Sequence, residues 1–452
     1  MPFSSGPVSR RTALKALALP AAGGLAGLGA GTGLTGCAAR PPTLNVAVVW
    51  SGWELQQFQK VMNAFTGYYR RRGIDIGYRL QSMGDDVGAF LGNAVTAAAR
   101  PDVALVPQPG TVLGNRGRLR PLRWPAHDAR SWRGLLADSR GTEYGVWYKA
   151  SCNSMVWHTA DVTPPPGGWD WDTWTAWCAG RAGRRPAPLS IGAADGWVLT
   201  DWFSNVLLAF HPGAYDRLVS AYHALALGGP AATGRLWRDP AVGDALGKLA
   251  ALWQVPGLFP GGAERALVTQ FDQAVLDVFA TGQAAMVAGA DFFWPIITQY
   301  TRFPPGDVRW FGFPGDAPGR SPALTGGDAA VQFARPGGQG HGRLLIDWLS
   351  RPDVRAIWAR SGGFLSIDDQ VTLEDYAYPA TMRVRELRAS VLRSDARFNL
   401  SDLLSGALAG ADGQGAWKIF TDFFTDVAVR GVRPGTAVDT AMDALASGEG
   451  GA

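Results

Sequence analysis

Short apolar runs separated by segments of helical spacing constrain this chain more than any other feature. Leu44-Asn-Val-Ala-Val-Val49 and Pro101-Asp-Val-Ala-Leu-Val-Pro107 are too short for helices and rich in valine, and residues 74–80 form another such run. Between them, Leu55, Phe58, Val61, Met62 and Phe65 recur along one helix face over residues 54–71. A second helix is expected from Asp85 to Ala99. Strands alternating with helices imply an α/β lobe with a largely parallel sheet. Such sheets bind ligands outside the carboxyl ends of their strands, which puts Trp50–Glu54 and Pro107–Gly110 at one mouth.

Beyond Tyr144-Gly-Val-Trp147-Tyr148-Lys149 the pattern changes. Residues 171–282 read as mostly helical, with Pro/Gly breaks at 164–168 and 256–262. Short strands follow at 283–287, 308–313 and 328–333. From His341 the chain reads as helical, and a polar, Gly-rich tail over 441–452 is expected to be disordered.

The first 36 residues have a separate logic. Arg10, Arg11 and Lys15 precede Ala16–Gly36, which carries no charge, and the small residues of Leu34-Thr-Gly-Cys37 follow. Basic, apolar and small segments in that order make a secretory signal peptide. The paired arginines with Leu14 and Lys15 resemble a twin-arginine export signal, although Ala13 stands where that pattern usually has Phe; export by the general secretory route stays open. Gly31–Gly36 also fits G-x-G-x-x-G, but no strand precedes it and Pro41-Pro42 follow, so a dinucleotide loop is rejected. A transmembrane anchor is the remaining alternative, since the uncharged stretch is long enough to span a bilayer. The expectation is a lipoprotein signal over 1–36, lipid attachment at Cys37, and a tether over 37–43.

Removing residues 1–36 takes away Arg10, Arg11 and Lys15 and no acid, lowering the formal net charge from +4 to +1. Nucleic-acid binding then has no electrostatic footprint. Two cysteines remain, Cys152 and Cys178, which can pair in an oxidising compartment or stay as buried thiols. The five histidines are scattered, so no metal site and no cofactor is expected.

The 19 tryptophans decide more, because several stand beside acids: Trp50-Ser-Gly-Trp53-Glu54, Trp169-Asp-Trp171, Asp201-Trp202, and Asp291-Phe-Phe-Trp294. A flat ring packs on the apolar C–H face of a sugar while carboxylates accept its hydroxyl protons. Core packing is the competing role for each ring.

Seven segments then carry a resemblance: PDVALVPQPG (101–110), YGVWYKA (144–150), TDW (200–202), GQAAMVAGADFFWP (282–295), TGGDAAVQFA (325–334), WARSGGFLS (358–366) and RFNLSDLL (397–404). Over residues 44–430 the chain resembles the extracellular solute-binding proteins of carbohydrate ABC transporters, in the family 1 branch near α-glucoside-binding proteins. The resemblance implies an α/β, two-lobed type II periplasmic-binding-protein fold that closes on a hinge. It implies lobe 1 from 44–148 plus 288–326, and lobe 2 from 149–287 plus 327–440. The implied ligand contacts are Trp50, Trp53, Glu54, Gln108, Trp147, Asp201, Trp202, Asp291, Trp294, Gly327, Asp328 and Arg397. Gly326 and Gly327 would let the backbone approach ligand, and Arg397 would clamp hydroxyls. Plainer roles compete: Asp328 as a hinge hydrogen-bonder, Asp291 as a helix cap and Arg397 as a surface ion pair. Asn399, where relatives often have Asp, and Leu403-Leu404, in place of Met-Pro, are departures.

The expected function is therefore capture of a neutral di- or oligosaccharide without chemical change, by a monomer at the extracytoplasmic membrane face that serves ABC permease subunits. A binding lipoprotein for a polyol, amino sugar or glycerophosphodiester is the alternative; a sensor for another partner and a lipid-anchored glycoside hydrolase rank below it.

Overall fold

The computed structural model describes residues 41–93, 100–229, 233–334, 340–404 and 415–447. The signal segment, Cys37 and most of the tether lie outside them. Two sheets organise the described chain, as the α/β two-lobed reading requires.

The first sheet has the order β10-β9-β3-β1-β2, with β4 also paired to β9. Its parallel part comes from the alternating N-terminal segment: β1 (Thr43–Val48) pairs with β2 (Gly77–Ser82) and β3 (Val103–Val106). The helix Gly52–Arg70 is the crossover, burying Trp53, Gln57, Phe58, Val61, Met62 and Phe65 along one stripe. Gly73, at φ +77°, lets the chain turn back toward β2. The helix expected from Asp85 runs Val87–Asn93, and residues 94–99 lie outside the described set.

β9 (Leu324–Gln332) closes this sheet antiparallel to β3, and β4 (Val146–Cys152) and β10 (Arg397–Phe398) pair along its other half. Every residue of β9 and of β4 is buried. The second sheet has the order β6-β7-β5-β8, from Ala187–Ser190, Ala284–Gly289, Met155–Thr159 and Val308–Gly312. β6 thus interrupts the region read as helical. Only Asn153 and Ser154 separate β4 in one sheet from β5 in the other.

The second core forms around Gly196–Phe210, a helix buried continuously from Val198 to Leu208. A helix buried on all sides must be surrounded, and Pro240–Trp253 and Ala416–Phe424 pack against it. Trp174, Trp202 and Trp253 fill this core with Phe313. The last helix runs Pro434–Ser447 and so includes residues 441–447 of the expected tail; 448–452 lie outside the described set. Cys152 and Cys178 are both buried and free. Among the described residues, no helix is long and apolar enough to cross a membrane, and no group of acids, His or Cys could hold a metal ion.

The first core contains one fully buried cation. Arg355 donates to both oxygens of Asp128, to the Trp147 carbonyl at 2.9 Å and to the Leu349 carbonyl at 3.2 Å, and lies 3.2 Å from Asp368. One guanidinium therefore joins β4, the 128 and 368 loops and the helix Pro352–Ala359. Arg355→Leu leaves two buried carboxylates unpaired and should cost about 3–5 kcal/mol in urea unfolding. A loss below about 1 kcal/mol would show that the cluster is dispensable.

Candidate ligand-binding site

The junction between the sheets is where charge and aromatic rings meet. A β-bulge lies between Trp147 and Lys149 on β4, and it sets Lys149 opposite Asp328 on β9. Lys149 is 3% exposed and its Nζ donates to Glu54 Oε1, from the first turn of the helix Gly52–Arg70. Burial alone would lower the Lys149 ammonium, but Glu54, Asp328 and Asp291 together hold it above its ordinary value. The Trp358, Phe292 and Trp50 rings lie 5.1, 5.6 and 6.0 Å from Nζ, within cation–π range. Trp50 Nε1 donates to Asp328 Oδ2 at 3.1 Å.

Asp291 follows β7 and is completely buried. Its Oδ1 accepts the Cys152 backbone N–H at 2.9 Å, and its Oδ2 has no hydrogen-bond partner among the described residues. Burial pushes Asp291 up to about 7 and Asp328 to about 6, with Lys149 opposing both shifts. Asp291 acts neither as an exposed contact nor as a side-chain cap of the helix beyond it, which begins after Phe292.

Beside this cluster, Phe292 packs with Trp197 and Phe271. Their centroids are 5.3 Å apart for Trp197 and Phe271, 6.2 Å for Trp197 and Phe292, and 6.1 Å for Phe271 and Phe292. All three rings are only partly buried. They form a partly exposed aromatic cluster that reaches the buried cation through Phe292, and the sequence pattern points to none of them. Phe292 stands inside the Asp-Phe-Phe-Trp run, where the acid and the tryptophan give the stronger signal. Lys149 gives no signal either, since a lysine in an apolar strand shows nothing of its partner 95 residues away.

Trp50, Glu54, Asp291 and Asp328 thus come together. Asp201 is buried nearby, with both carboxylate oxygens held by Asn153 and Asn399 and its carboxyl pushed up to about 7 by burial. Gln108 precedes the helix Pro109–Gly114, and its Oε1 accepts from Thr111 Oγ1 at 3.4 Å. Trp147 instead packs on Trp132 and Phe398, and Trp202 on Trp174 and Phe313. Trp53 and Trp294 line the passage of Gly363 and Gly362, whose φ values of +60° and +84° suit glycine. A Cβ on Gly327 would stand 2.6 Å from the Lys149 carbonyl, so this glycine admits β4. Arg397 forms a two-pronged ion pair with Asp216 on a partly exposed surface. A cavity of about 850 Å³ lies elsewhere, between β8 and residues 380–393, and has none of these residues in its lining.

The chain is 27% identical over 384 residues to the osmoprotective compounds-binding protein GgtB of Synechocystis, covering 78% of this chain and 83% of the relative. It is 24% identical over 409 residues to the alpha-glucosides-binding periplasmic protein AglE of Rhizobium meliloti, covering 84% and 83%. At these identities the chain is similar to the solute-binding proteins of carbohydrate ABC transporters. No family model matches it. Its fold is that of the maltose-bound MalE3 of T. maritima, with a TM-score of 0.64 at 15% identity over 89% of this chain and 98% of that one. Both relatives are binding proteins by name.

The buried acids give the site a pH signature. A carboxyl whose folded value lies above its unfolded value of about 3.9 binds its proton more tightly in the native state. The stability it contributes is complete below the unfolded value and is lost as pH rises through about 7 for Asp291. Asp291→Asn keeps the acceptor for Cys152 and removes the titration. The variant's Tm relative to the parent should therefore rise from pH 4 to pH 8, as thermal melts would record; a constant difference would refute this.

Proposed function

We propose that the cleft beside Lys149 captures a neutral di- or oligosaccharide and that the loaded protein presents it to membrane permease subunits. The Lys149 charge is compensated internally while Phe292 beside it joins Trp197 and Phe271 in a cluster of partly exposed rings, and this arrangement carries the reading. A cation already engaged by Glu54 and faced by Asp328 and Asp291 offers little to a phosphate or carboxylate. Rings with open faces suit the C–H side of a pyranose. The α-glucoside binding named for AglE supports this choice. The name of GgtB supports a second reading, a small osmoprotective solute bound by the same rings.

Ligand binding would stabilise the closed lobes by its differential affinity for that state. Attachment of lipid at Cys37 would keep the captured solute close to the permease, since two or more acyl chains hold a protein firmly to a bilayer.

Calorimetry with maltose, trehalose, glucosamine and glycerophosphocholine should give binding to α-linked disaccharides, with the sugar recovered unchanged by chromatography. Phe292→Ala and Trp197→Ala should each weaken that binding about tenfold, or ~1.4 kcal/mol, with little change in Tm. Binding confined to glycerophosphocholine would overturn the sugar reading. In cells, Cys37→Ser should move the protein from the membrane to the soluble extracytoplasmic fraction; continued membrane retention would refute the lipid attachment.

A further inference from the structure

Asp201 and Asn205 occupy adjacent turns of one face of the buried helix Gly196–Phe210. Each is tied to chain segments that pass between the two sheets. Asn153, in the β4–β5 crossing, donates from Nδ2 to Asp201 Oδ2 at 3.1 Å. Asn399, between β10 and the helix Leu400–Leu403, donates from Nδ2 to Asp201 Oδ1. Asn205 Nδ2 donates to the Asn153 carbonyl at 3.1 Å and to the Asp201 carbonyl at 3.0 Å. Ser154 Oγ donates to Asn205 Oδ1 at 2.6 Å and accepts the Leu324 backbone N–H at 2.9 Å, at the start of β9. All three crossings, at 153–154, 324 and 399, therefore join one helix through side chains that are buried.

The orientation of each amide is fixed by a further bond. Asn153 Oδ1 accepts Ser151 Oγ at 2.7 Å, and Asn399 Oδ1 accepts the Ser401 backbone N–H at 3.1 Å as the cap of its short helix. Neither amide can flip without losing a partner. The void bordered by Asn153, Trp197, Asp201, Asn205 and Phe293 measures about 10 Å³. That is room for about one water and not for a sugar ring. Both oxygens of Asp201 are thus committed to protein.

We propose that Asp201, with Asn205, is a positioning residue that clasps the three hinge crossings together, and that it does not contact the captured solute. The clasp explains why this chain carries Asn at 399. A second carboxylate there would face Asp201 across a hydrogen bond, with two buried anions and no donor between them. The clasp depends on the two-lobed fold and not on which solute is bound.

Its test needs no ligand: hydrogen exchange by mass spectrometry on the full chain at pH 8, above the value of about 7 to which burial pushes Asp201. Asp201→Asn turns one acceptor into a donor facing a donor, and Asn399→Asp sets two acceptors face to face. Either should raise exchange about tenfold in 151–155, 322–326 and 397–401, while β1 to β3 keep their protection. The reciprocal double variant, Asp201→Asn with Asn399→Asp, restores every donor–acceptor match. The amide then at position 201 would accept from Asn153 and donate to the carboxylate then at position 399, which would still accept from Ser401. Exchange in all three segments should then return to within about threefold of the parent. Should a single variant fail to fold, Asn205→Ala, which keeps Asp201, should still raise exchange at 151–155 and 322–326. A merely structural carboxylate would instead raise exchange across the whole second core, and that result overturns the proposal. So does a double variant that remains as unprotected as the singles, or an Asn205→Ala variant with parental exchange.

Discussion

The pairing of β4 with β9 is the constraint on which the rest depends. These two strands carry the chain toward the second sheet, and they run antiparallel with every residue buried. Their backbone bonds cannot be exchanged for bonds to water without unfolding the junction. The chain leaves this sheet for the rest of the fold in the segments flanking its strands: Asn153–Ser154 after β4, residues 313–323 before β9, and Asn399 after β10. A hinge needs a few residues that can change φ and ψ while their flanks stay fixed, and this arrangement supplies both. The glycines at 326 and 327 belong to the same constraint, because side chains there would strike Ser151 Oγ at 2.8 Å and the Lys149 carbonyl at 2.6 Å.

Putting a lysine into that ladder has consequences for what the cleft accepts. A buried ammonium keeps its proton only if neighbouring charges repay its lost hydration. Glu54 does so directly, Asp328 and Asp291 through the field, and the rings of Trp358, Phe292 and Trp50 add their quadrupoles. The outcome is an electrostatic knot that is closed on itself. On the proposed reading, solute recognition then falls to the partly exposed Trp197, Phe271 and Phe292 rings.

Fold was more legible than site, for a physical reason. Apolar period and turn residues are local, so β1, the helix Gly52–Arg70, β3, β7 and β8 stand where the spacing of Leu44–Val49, Phe58–Phe65, Val103–Val106, Ala284–Val287 and Val308–Phe313 puts them. β6 is missed because Ala187-Pro-Leu-Ser190 has neither β-branched residues nor alternation. Site residues depend on direction and on distant partners. Trp50 and Glu54 follow the end of β1, and they meet Asp328 because β9, which carries it at mid-strand, belongs to the same sheet. Lys149 was hidden by the bulge that turns it away from the face its neighbour Trp147 takes.

The pairing of ring with acid in sequence misleads for a related reason. Successive residues on a helix point about 100° apart, so Asp201 and Trp202 cannot both face the cleft. The structure sends Trp202 into the stack with Trp174 and Phe313, and Asp201 to the hinge amides. A tryptophan buries so much apolar surface that a core of this size readily takes several, and their neighbours in sequence become incidental. On the proposed reading, a sugar-facing ring is marked instead by incomplete burial within an aromatic cluster, as at Trp197, Phe271 and Phe292. Two of these are phenylalanines with no polar edge to satisfy, so they can present a bare face to solvent or to ligand at no hydrogen-bonding cost. On the proposed reading the hinge is built from amides and a carboxylate and the capture surface from rings, with neither set borrowing atoms from the other.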